Sequence, residues 1–384
     1  MIFSNKYIEY SSKSKAELYK TLILFKILSN KKIVFFSKTI LNIALKLNFP
    51  ILSLIKNTVF KQFCGGENIK ESKTKITELG KYNIQTILDY SIEGKNDENS
   101  FNNTYHEILK NLEEAANNPL IPFCVFKITG FGRIELLKKA NNKTELSLIE
   151  KKEFETIKMR LNNICKKAQK KQIPILIDAE ESWIQNTIDT LAENLMKTYN
   201  KNMVIVYNTI QLYRWDKLKY IQQLHEKAKK ENYKLGFKLV RGAYMEKERI
   251  RAKRKKYICP IHKTKASCDY DYDEASKYCI NNIVDMALCF GTHNEDSTER
   301  VIKLMKEKNI LNNDKRIYFS QLLGMSDNIS FYLSRFKYNV AKYVPYGPVK
   351  EVLPYLIRRA EENSAITGQT NREIIRIQEL IKNH

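Results

Sequence analysis

Apolar residues recur along the chain in two different rhythms, and the change of rhythm divides it into two regions. In the first 75 residues the spacing is helical, with lysines between the apolar positions, over Ala16–Leu28, Ile33–Leu47 and Ile51–Phe63. The pair Gly65-Gly66 then interrupts the pattern. The pattern predicts a helical arm over residues 1–75. A packing role is favoured for it, and dimerisation or membrane contact through an amphipathic face are the alternatives.

From about Gln85 short apolar runs alternate with longer charged segments, which is typical of βα units around a parallel sheet. The predicted strands are Thr86–Tyr90, Phe123–Thr129, Pro174–Asp178, Met203–Tyr207, Lys234–Val240, Met286–Gly291, Arg316–Gln321 and Val340–Val344. Eight strands in this length predict a (βα)8 barrel over residues 76–384.

Helices are predicted between the strands, for example over Asn103–Ala116 and Leu148–Lys171. Two connections look expanded. One runs from Gly130 to about Thr144, and the other, Met245–Ala266, is strongly basic. The second is predicted to be a mobile loop near the mouth of the barrel.

The formal charge of +23 invites a nucleic-acid interpretation. Lysines are spread over the whole chain and no nucleic-acid motif is present, so the charge favours no nucleic-acid partner and leaves an anionic membrane face open. Seven scattered cysteines indicate a reducing compartment, and Cys259, His262 and Cys268 match no zinc spacing. Since no apolar run reaches about 18 residues and no signal peptide is evident, a cytoplasmic protein without membrane-spanning helices is expected.

Polar residues stand at the ends of all eight predicted strands, where barrel enzymes place their active sites. Lys127 is notable because it interrupts an apolar run, and a lysine facing into a barrel must meet an anion or change its pKa. Any one of these residues could belong to a structural network, whereas eight polar strand ends indicate a site. The polar set comprises Asp89, Glu93, Lys127, Thr129, Asp178, Glu180, Gln211, Lys238, Arg241, Thr292, His293, Asn294, Gln321 and Tyr343, and the apolar Leu322 lies beside Gln321.

A last helix is predicted from about Val349 to Asn363, after the turn Tyr346-Gly347-Pro348, with a kink at Pro354. One of its faces carries four functional side chains at helical spacing, namely Tyr355, Arg358, Arg359 and Glu362. Two arginines on one face indicate either a solvated, salt-bridged surface or a clamp for a carboxylate or phosphate. The segment alone leaves both interpretations open.

The stretch YVPYGPVKEVLPYLIRRAEEN resembles the C-terminal signature of the proline dehydrogenases. The resemblance extends from about Leu88 to Asn371 through LDYSIEG, FKITG, ILIDAEES, IQLY, KLVRGAYMEKER, FGTHNED and QLLGM. It implies a distorted (βα)8 barrel that binds FAD and oxidises L-proline to Δ1-pyrroline-5-carboxylate, the first step of proline degradation to glutamate. It also implies a quinone as electron acceptor, a peripheral position at the inner face of a membrane (the matrix side in a mitochondrion), and a single activity. Oligomeric state stays open.

The resemblance further implies roles for individual residues. Asp178, Lys238 and Arg241 take the catalytic positions, and Asp89 with Glu93 forms the gate of the site. The substrate is bound by Lys127, Tyr244, Leu322, Tyr343, Tyr355, Arg358 and Arg359. FAD is bound by Ala179, Gln211, Lys238, Arg241, Gly242, Ala243, Tyr244, Thr292, His293, Asn294 and Glu362.

One departure concerns KLVR, because bacterial relatives carry RLVK there, so either Lys238 or Arg241 supplies the positive charge at the flavin. Two alternatives to a proline dehydrogenase remain. One is a flavin or phosphate barrel for another small anion, and the other is a non-enzymatic basic scaffold for RNA or membranes.

Overall fold

Eight parallel strands close into a barrel in this computed structural model, which describes residues 14–30, 51–92, 94, 96–365 and 367–383. Each strand pairs with its neighbours in chain order, and the last pairs with the first. The strands are β1 Gln85–Tyr90, β2 Cys124–Lys127, β3 Ile175–Asp178, β4 Val206–Gln211, β5 Leu235–Val240, β6 Met286–Gly291, β7 Ile317–Leu322 and β8 Val340–Tyr346. The predicted (βα)8 barrel is therefore confirmed.

Helices precede the barrel, connect its strands and follow its last strand. Within the described ranges they are Lys15–Ser29, Ile51–Ile55, Lys61–Phe63, Ile69–Gly80, Glu98–Asn117, Ile134–Asn141, Leu148–Lys171, Ser182–Tyr199, Lys217–Lys230, Met245–Lys255, Lys265–Asn281, Glu295–Glu307, Asp327–Arg335, Val349–Ala365 and Thr367–Asn383. Lys56–Phe60 forms a π-helical turn and Ile128–Gly130 a 3-10 turn.

The strands are buried on both faces, and alternation decides which side chain enters the barrel. In β5, Leu235, Phe237 and Leu239 face outward and join the main core between the sheet and its surrounding helices. Gly236 and Lys238 lie between them and therefore face the barrel interior. The same alternation holds for the apolar interior residues, which form a separate cluster. The barrel thus has an outer apolar layer and a narrower inner one.

Of the eight barrel strands, only the sixth has the predicted bounds, and the differences in the fourth and second strands have a visible cause. The fourth strand was placed at Met203–Tyr207 and Gln211 after its end, but β4 begins at Val206 and ends at Gln211. The cause is Asn200, whose Oδ1 accepts the backbone N–H groups of residues 205 and 206 at 2.9 and 2.8 Å and holds the approach in a turn. The second strand ends at Lys127 instead of Thr129, because the 3-10 turn begins there.

The prediction of a mobile basic loop over Met245–Ala266 is wrong, since Met245–Lys255 is a helix. Glutamates in its first turn and basic residues in its last turn complement the helix dipole. Glu248 and Ala252, four residues apart, form its buried face. The expanded connection after Gly130 likewise contains a helix, Ile134–Asn141, which buries Leu136 and Leu137.

The helical arm packs against the end of the chain. The predicted helix over Ala16–Leu28 is observed as Lys15–Ser29, with a capping box formed by Ser14 and Glu17. The predicted helix Ile33–Leu47 lies outside the described residues. The arm shares a second core with the last two helices through Leu18, Leu22, Phe25, Leu28, Phe60, Phe63, Val349, Val352, Leu353, Leu356, Ile377 and Ile381. A domain boundary at 75/76 stays a prediction.

The helix after β8, Val349–Ala365, belongs to this second core rather than to the ring of helices around the barrel. It runs continuously through Pro354, and the kink expected there stays a prediction. Across the residues that the structure describes, no helix has the length and apolar character needed to cross a membrane.

Candidate active site

A layer of polar side chains caps the apolar interior of the barrel at the carboxyl ends of the strands. The interior residues Ile87, Val125, Leu176 and Ala341 are apolar and buried. Two positions later, on the same face of each strand, the chain carries Asp89, Lys127, Asp178 and Tyr343. Lys238 occupies the equivalent level on β5, two positions after Gly236. The period of the strands therefore gathers these side chains at one level of the barrel mouth.

Asp178 is the centre of this layer. Its Oδ1 contacts the Nζ of Lys238 and accepts a hydrogen bond from the hydroxyl of Tyr343 at 3.0 Å. Its Oδ2 lies 3.6 Å from the Nζ of Lys127. Lys238 Nζ also donates to the Tyr343 hydroxyl at 2.6 Å and lies 4.4 Å from the centroid of that ring. Side chains from β2, β3, β5 and β8 thus form one connected group.

The charges in this group set the protonation of its members. Burial opposes ionisation of Asp178, but Lys238 and Lys127 outweigh burial and hold the pKa of the carboxyl below its usual value. Burial, reinforced by the Asp178 charge, raises the pKa of Tyr343 well above its usual value. Asp178 is therefore ionised and Tyr343 keeps its proton. Two lysines thus lie beside the Asp178 carboxylate, while Asp89 contributes a second carboxylate at the same level of the barrel.

The helix Val349–Ala365 lies at this end of the barrel and is fixed at its N-terminus by the arm. The N–H of Val349 donates to Glu67 Oε1 at 3.2 Å, which satisfies a free end of the helix backbone. Just before it, Gly347 adopts φ +144° and donates its N–H to the carbonyl of Gly66 at 3.1 Å. The arm thereby sets where this helix begins.

The face of this helix that carries Tyr355 and Arg359 points into protein. Arg359 is only 8 % exposed and Tyr355 is buried, so a solvated surface does not describe them. The Arg359 guanidinium lies 5.5 Å from the Tyr355 ring centroid, and that of Arg358 lies 5.5 Å from the ring of Tyr244. Burial raises the pKa of Tyr355, and Asp89 adds to the effect on Tyr355 as it does on Tyr343. Asp89 therefore acts on both the barrel group and this helix.

Arg241, at the end of β5, is held by a network of its own. Its Nε donates to Asp269 Oδ1 at 2.7 Å, and its two terminal nitrogens donate to Thr292 Oγ1 and Ser297 Oγ, each at 2.9 Å. The guanidinium also lies 4.4 Å from the ring centroid of Tyr272. Arg241 therefore joins the end of β5 to the end of β6, whereas Lys238 reaches the Asp178 group.

Gly242 follows at φ +134°, a conformation that favours glycine, and a Cβ there would lie 2.6 Å from the ring of Tyr213. The next residues, Ala243 and Tyr244, are half-buried and lead into the helix Met245–Lys255. The turn therefore needs glycine so that Tyr244 can reach Arg358.

The end of β6 carries the three residues Thr292, His293 and Asn294. Asn294 caps the next helix by accepting the N–H of Ser297 at 3.1 Å. Burial lowers the pKa of His293 to about 3 and is the largest cause. The positive charges of Lys342, Arg359 and Arg241 add to the effect, in that order of strength. His293 is therefore neutral at physiological pH, with Nδ1 3.1 Å from the Ser326 hydroxyl.

The loop after β3 meets the end of β4. Ala179 is buried, and Gln211 donates its Nε2 to the Glu180 carbonyl at 2.9 Å. Among the described atoms, the buried Oε1 of Gln211 has no hydrogen-bond partner. Burial raises the pKa of Glu180 to about 7 against the hydrogen bonds from the N–H and hydroxyl of Thr129. A buried acceptor without a partner among the described atoms and a carboxyl with its pKa raised to about 7 thus lie on neighbouring strand ends.

Some positions of the expected site cannot be placed, and others were not foreseen. Glu93 and the side chain of Glu362 lie outside the described part of the chain, while Leu322 packs half-buried against the interior cluster.

Glu67 was not foreseen, because nothing in its local sequence marks it as a cap. Lys342, 1 % exposed and 2.9 Å from Asp327 Oδ1, is a lysine in an apolar strand, the same signal that singled out Lys127.

Comparisons with known proteins identify the family to which this chain is similar. A family model described as proline dehydrogenase matches residues 72–372. "Proline dehydrogenase 1, mitochondrial" of Dictyostelium discoideum is 34% identical over 419 residues, which cover 97% of this chain and 73% of that protein. The Homo sapiens protein of the same name is 38% identical over 229 residues, 58% of this chain and 38% of the relative.

Among solved structures, proline utilization A (PutA) from Bdellovibrio bacteriovorus inactivated by N-propargylglycine superposes with a TM-score of 0.73 at 21% identity. The match covers 94% of this chain and 39% of the PutA chain, so the chain spans about two fifths of that protein. At this identity the likeness shows the fold, a TIM-like barrel.

Proposed function

Because the chain belongs to the proline dehydrogenase family, we propose that it oxidises L-proline to Δ1-pyrroline-5-carboxylate with FAD as its cofactor. This is the first step of proline degradation to glutamate. The observation that carries the proposal is the group of Asp178, Lys238, Tyr343 and Lys127 at the barrel mouth. At the same end lies a helix on which Arg359 is buried and Arg358 lies over the ring of Tyr244.

The carboxylate of proline is bound by Arg358, Arg359 and Lys127. Guanidinium groups bind planar carboxylates in a bidentate manner, so two of them fix the orientation of the ring as well as its charge. Holding the substrate in one orientation removes a large part of the entropic barrier to reaction. The walls around the ring are Tyr244, Leu322, Tyr343 and Tyr355. Tyr343 keeps its proton and therefore serves as a wall and hydrogen-bonding group rather than as a base.

The residues at the strand ends fit a flavin. The Oε1 of Gln211 is buried and lacks a partner among the described atoms, as expected of an acceptor for a ligand N–H group. We assign FAD to a surface formed by Ala179, Gln211, Lys238, Arg241, Gly242, Ala243, Tyr244, Thr292, His293, Asn294 and Glu362. Bound there, FAD supplies the acceptor for the hydride that leaves the ring carbon beside the proline nitrogen.

Lys238 has the electrostatic role in this scheme. It is a buried cation at the level of Asp178, and a fixed positive charge in a water-poor site stabilises negative charge that develops during reaction. Arg241 is held by Asp269, Thr292 and Ser297, so we assign it to positioning the ends of β5 and β6. The exchange of lysine and arginine in KLVR thereby preserves one cation at each place.

Asp89 and Glu93 complete the proposed site as its gate. The electrons pass to a membrane quinone, so we propose a peripheral position at the inner face of a membrane, on the cytoplasmic side or on the matrix side of a mitochondrion. Relatives named mitochondrial proline dehydrogenases, such as that of Dictyostelium discoideum, support the matrix side.

The test uses purified protein under anaerobic conditions. L-Proline should bleach the flavin absorbance, and the cofactor released on denaturation should be FAD. D-Proline is the matched control, because it carries the same charges in mirror-image arrangement and should bleach the flavin far more slowly. Release of FMN, or of no flavin after reconstitution, would refute the cofactor. Normal FAD content without bleaching by L-proline would refute the substrate.

A further inference from the structure

The helix Met245–Lys255, here called the mouth helix, is fixed to the barrel mouth by its buried face. Glu248 is fully buried and accepts the N–H and the hydroxyl of Ser182, both at 2.6 Å. Lys247 and Arg251 lie over the ring of Trp183, the next residue. These contacts hold the mouth helix against the N-terminus of the helix Ser182–Tyr199, which follows β3, so its opposite face is turned away from the protein.

That outer face exposes large apolar side chains. Ile250 is 65 % exposed, and Ile258, just beyond the helix, is 85 % exposed. Trp215, 55 % exposed, joins the same surface, since its backbone N–H donates to the Pro260 carbonyl and its indole N–H to the Cys259 carbonyl, both at 3.2 Å. We call the surface formed by Trp215, Ile250 and residues 253–258 the mouth patch.

The mouth patch is also basic. Lys253, Arg254, Lys255 and Lys256 follow one another and are all exposed. Within the described part of the chain, none of the four has a carboxylate within 4.0 Å. Among the described residues these charges therefore have no ion-pair partner, and the C-terminal end of the helix dipole favours them.

A solvated helix end would account for the four basic residues but not for Ile250, Ile258 and Trp215 beside them. Aliphatic and indole side chains surrounded by lysine and arginine are the composition of segments that lie in a membrane interface. The apolar groups enter the boundary between headgroups and acyl chains, and the basic groups meet anionic headgroups. Aliphatic isoleucines give nothing to a nucleic acid, whose bases stack on aromatic or guanidinium planes.

We propose that the mouth patch docks this end of the barrel onto an anionic lipid bilayer. The proposal rests on the peripheral location proposed above and names the surface responsible for it. The mouth helix begins directly after Tyr244, whose ring lies 5.5 Å from the guanidinium of Arg358. Docking through this surface turns the substrate end of the barrel toward the bilayer, where a lipid-soluble electron acceptor resides.

The experiment measures cosedimentation of the holoenzyme with vesicles of phosphatidylcholine, with and without phosphatidylserine. One variant replaces Lys253, Arg254, Lys255 and Lys256 by glutamine. The matched control replaces Lys151, Lys152, Lys166 and Lys170, four exposed lysines of the helix Leu148–Lys171, so the net charge changes equally. Each basic residue contributes roughly fivefold to the affinity for an anionic bilayer. The first variant should therefore bind anionic vesicles about 10²- to 10³-fold more weakly, whereas the control should bind them about as tightly as wild type.

Ile258→Asp tests the apolar part of the mouth patch and should also release the protein from anionic vesicles. Absence of wild-type binding to anionic vesicles would overturn both docking and the peripheral location. Equal losses of vesicle binding in the two quadruple variants would mean that net charge alone attracts the protein to the vesicles. That result would overturn docking through the mouth patch. Displacement by single-stranded poly(U), with Ile258→Asp unchanged, would assign the patch to nucleic acid instead. Proline oxidation with a soluble acceptor, measured on the same samples, reports separately on the proposed reaction.

Discussion

The buried acid Glu180 should make the stability of this protein depend on pH near neutrality. Burial raises its pKa from 4.5 to about 7, since the lost hydration of the charged form outweighs the hydrogen bonds from the N–H and hydroxyl of Thr129 and the charge of Lys127. The folded state therefore holds this proton more tightly than the unfolded chain. The contribution to stability is fully present below the unfolded pKa and is lost as pH rises through about 7.

The size of the effect follows from the two pKa values. Each pKa unit corresponds to about 1.36 kcal/mol, so the free energy of unfolding falls by about 3 kcal/mol in total as the pH rises from below the unfolded pKa to above the folded one. Integrated between pH 5.5 and pH 8, it is about 2 kcal/mol for this one group. Glu180→Gln keeps a neutral side chain of the same shape. The variant should therefore lack this loss and gain stability relative to wild type between pH 5.5 and pH 8.

The assay compares free energies of unfolding from urea titrations at pH 5.5 and pH 8 for wild type and Glu180→Gln. The difference between the two proteins should change by about 2 kcal/mol between the two pH values, with the variant gaining at high pH. Glu155→Gln, with a side chain 68 % exposed, makes the same chemical change at the surface and serves as the control. A difference that does not vary with pH would show that Glu180 is ionised in the folded protein at pH 5.5, which refutes the reasoning.

Three further predictions concern the proposed site. Lys238→Met should slow flavin reduction at saturating proline in stopped-flow experiments, because a buried positive charge is lost; an unchanged rate would assign the electrostatic role to Arg241. Arg358→Met and Arg359→Met should each raise KM for proline about 10- to 150-fold at normal flavin content, since a charged hydrogen bond contributes roughly 1.5–3 kcal/mol; unchanged KM values in a proline titration would remove the substrate from this helix. Glu67→Ala should raise KM about fivefold with little effect on kcat, since a helix cap is worth ~1 kcal/mol and this one holds the arginine helix; equal KM values in steady-state assays of this variant and wild type would leave Glu67 with a structural role only.

The barrel and the centre of the site could be predicted from the sequence because both depend on local periodicity. Alternation along each strand places a polar residue two positions beyond an apolar interior one, as Val125 and Lys127 show. A closed parallel barrel then brings these strand ends together without any further information. This is why Asp178 and Tyr343, 165 residues apart, could be expected to lie near each other before the structure showed their hydrogen bond.

Other features of the fold and the site depend on contacts between residues that no local sequence pattern predicts. The fourth strand was misplaced because one side chain, Asn200, takes two backbone N–H groups out of the sheet. The mouth helix was taken for a loop because its buried face consists of Ala252 and a charged residue, Glu248, so apolar periodicity is missing. The cap from Glu67 to Val349 joins residues 282 positions apart, which is beyond the reach of any spacing rule.

The packing of the arm on the last two helices has a consequence for how the protein acquires its activity. During synthesis the helix Lys15–Ser29 is made long before Val349–Ala365, the partner that completes its apolar core. Closing that contact requires the ends of the sequence to meet, which is entropically costly and slow compared with the neighbouring strand pairs of the barrel. The consecutive strand pairs from β1 to β8 can therefore form before the two arginines reach their places, and competence to bind substrate should be the last property gained on folding and the first lost under mild denaturant.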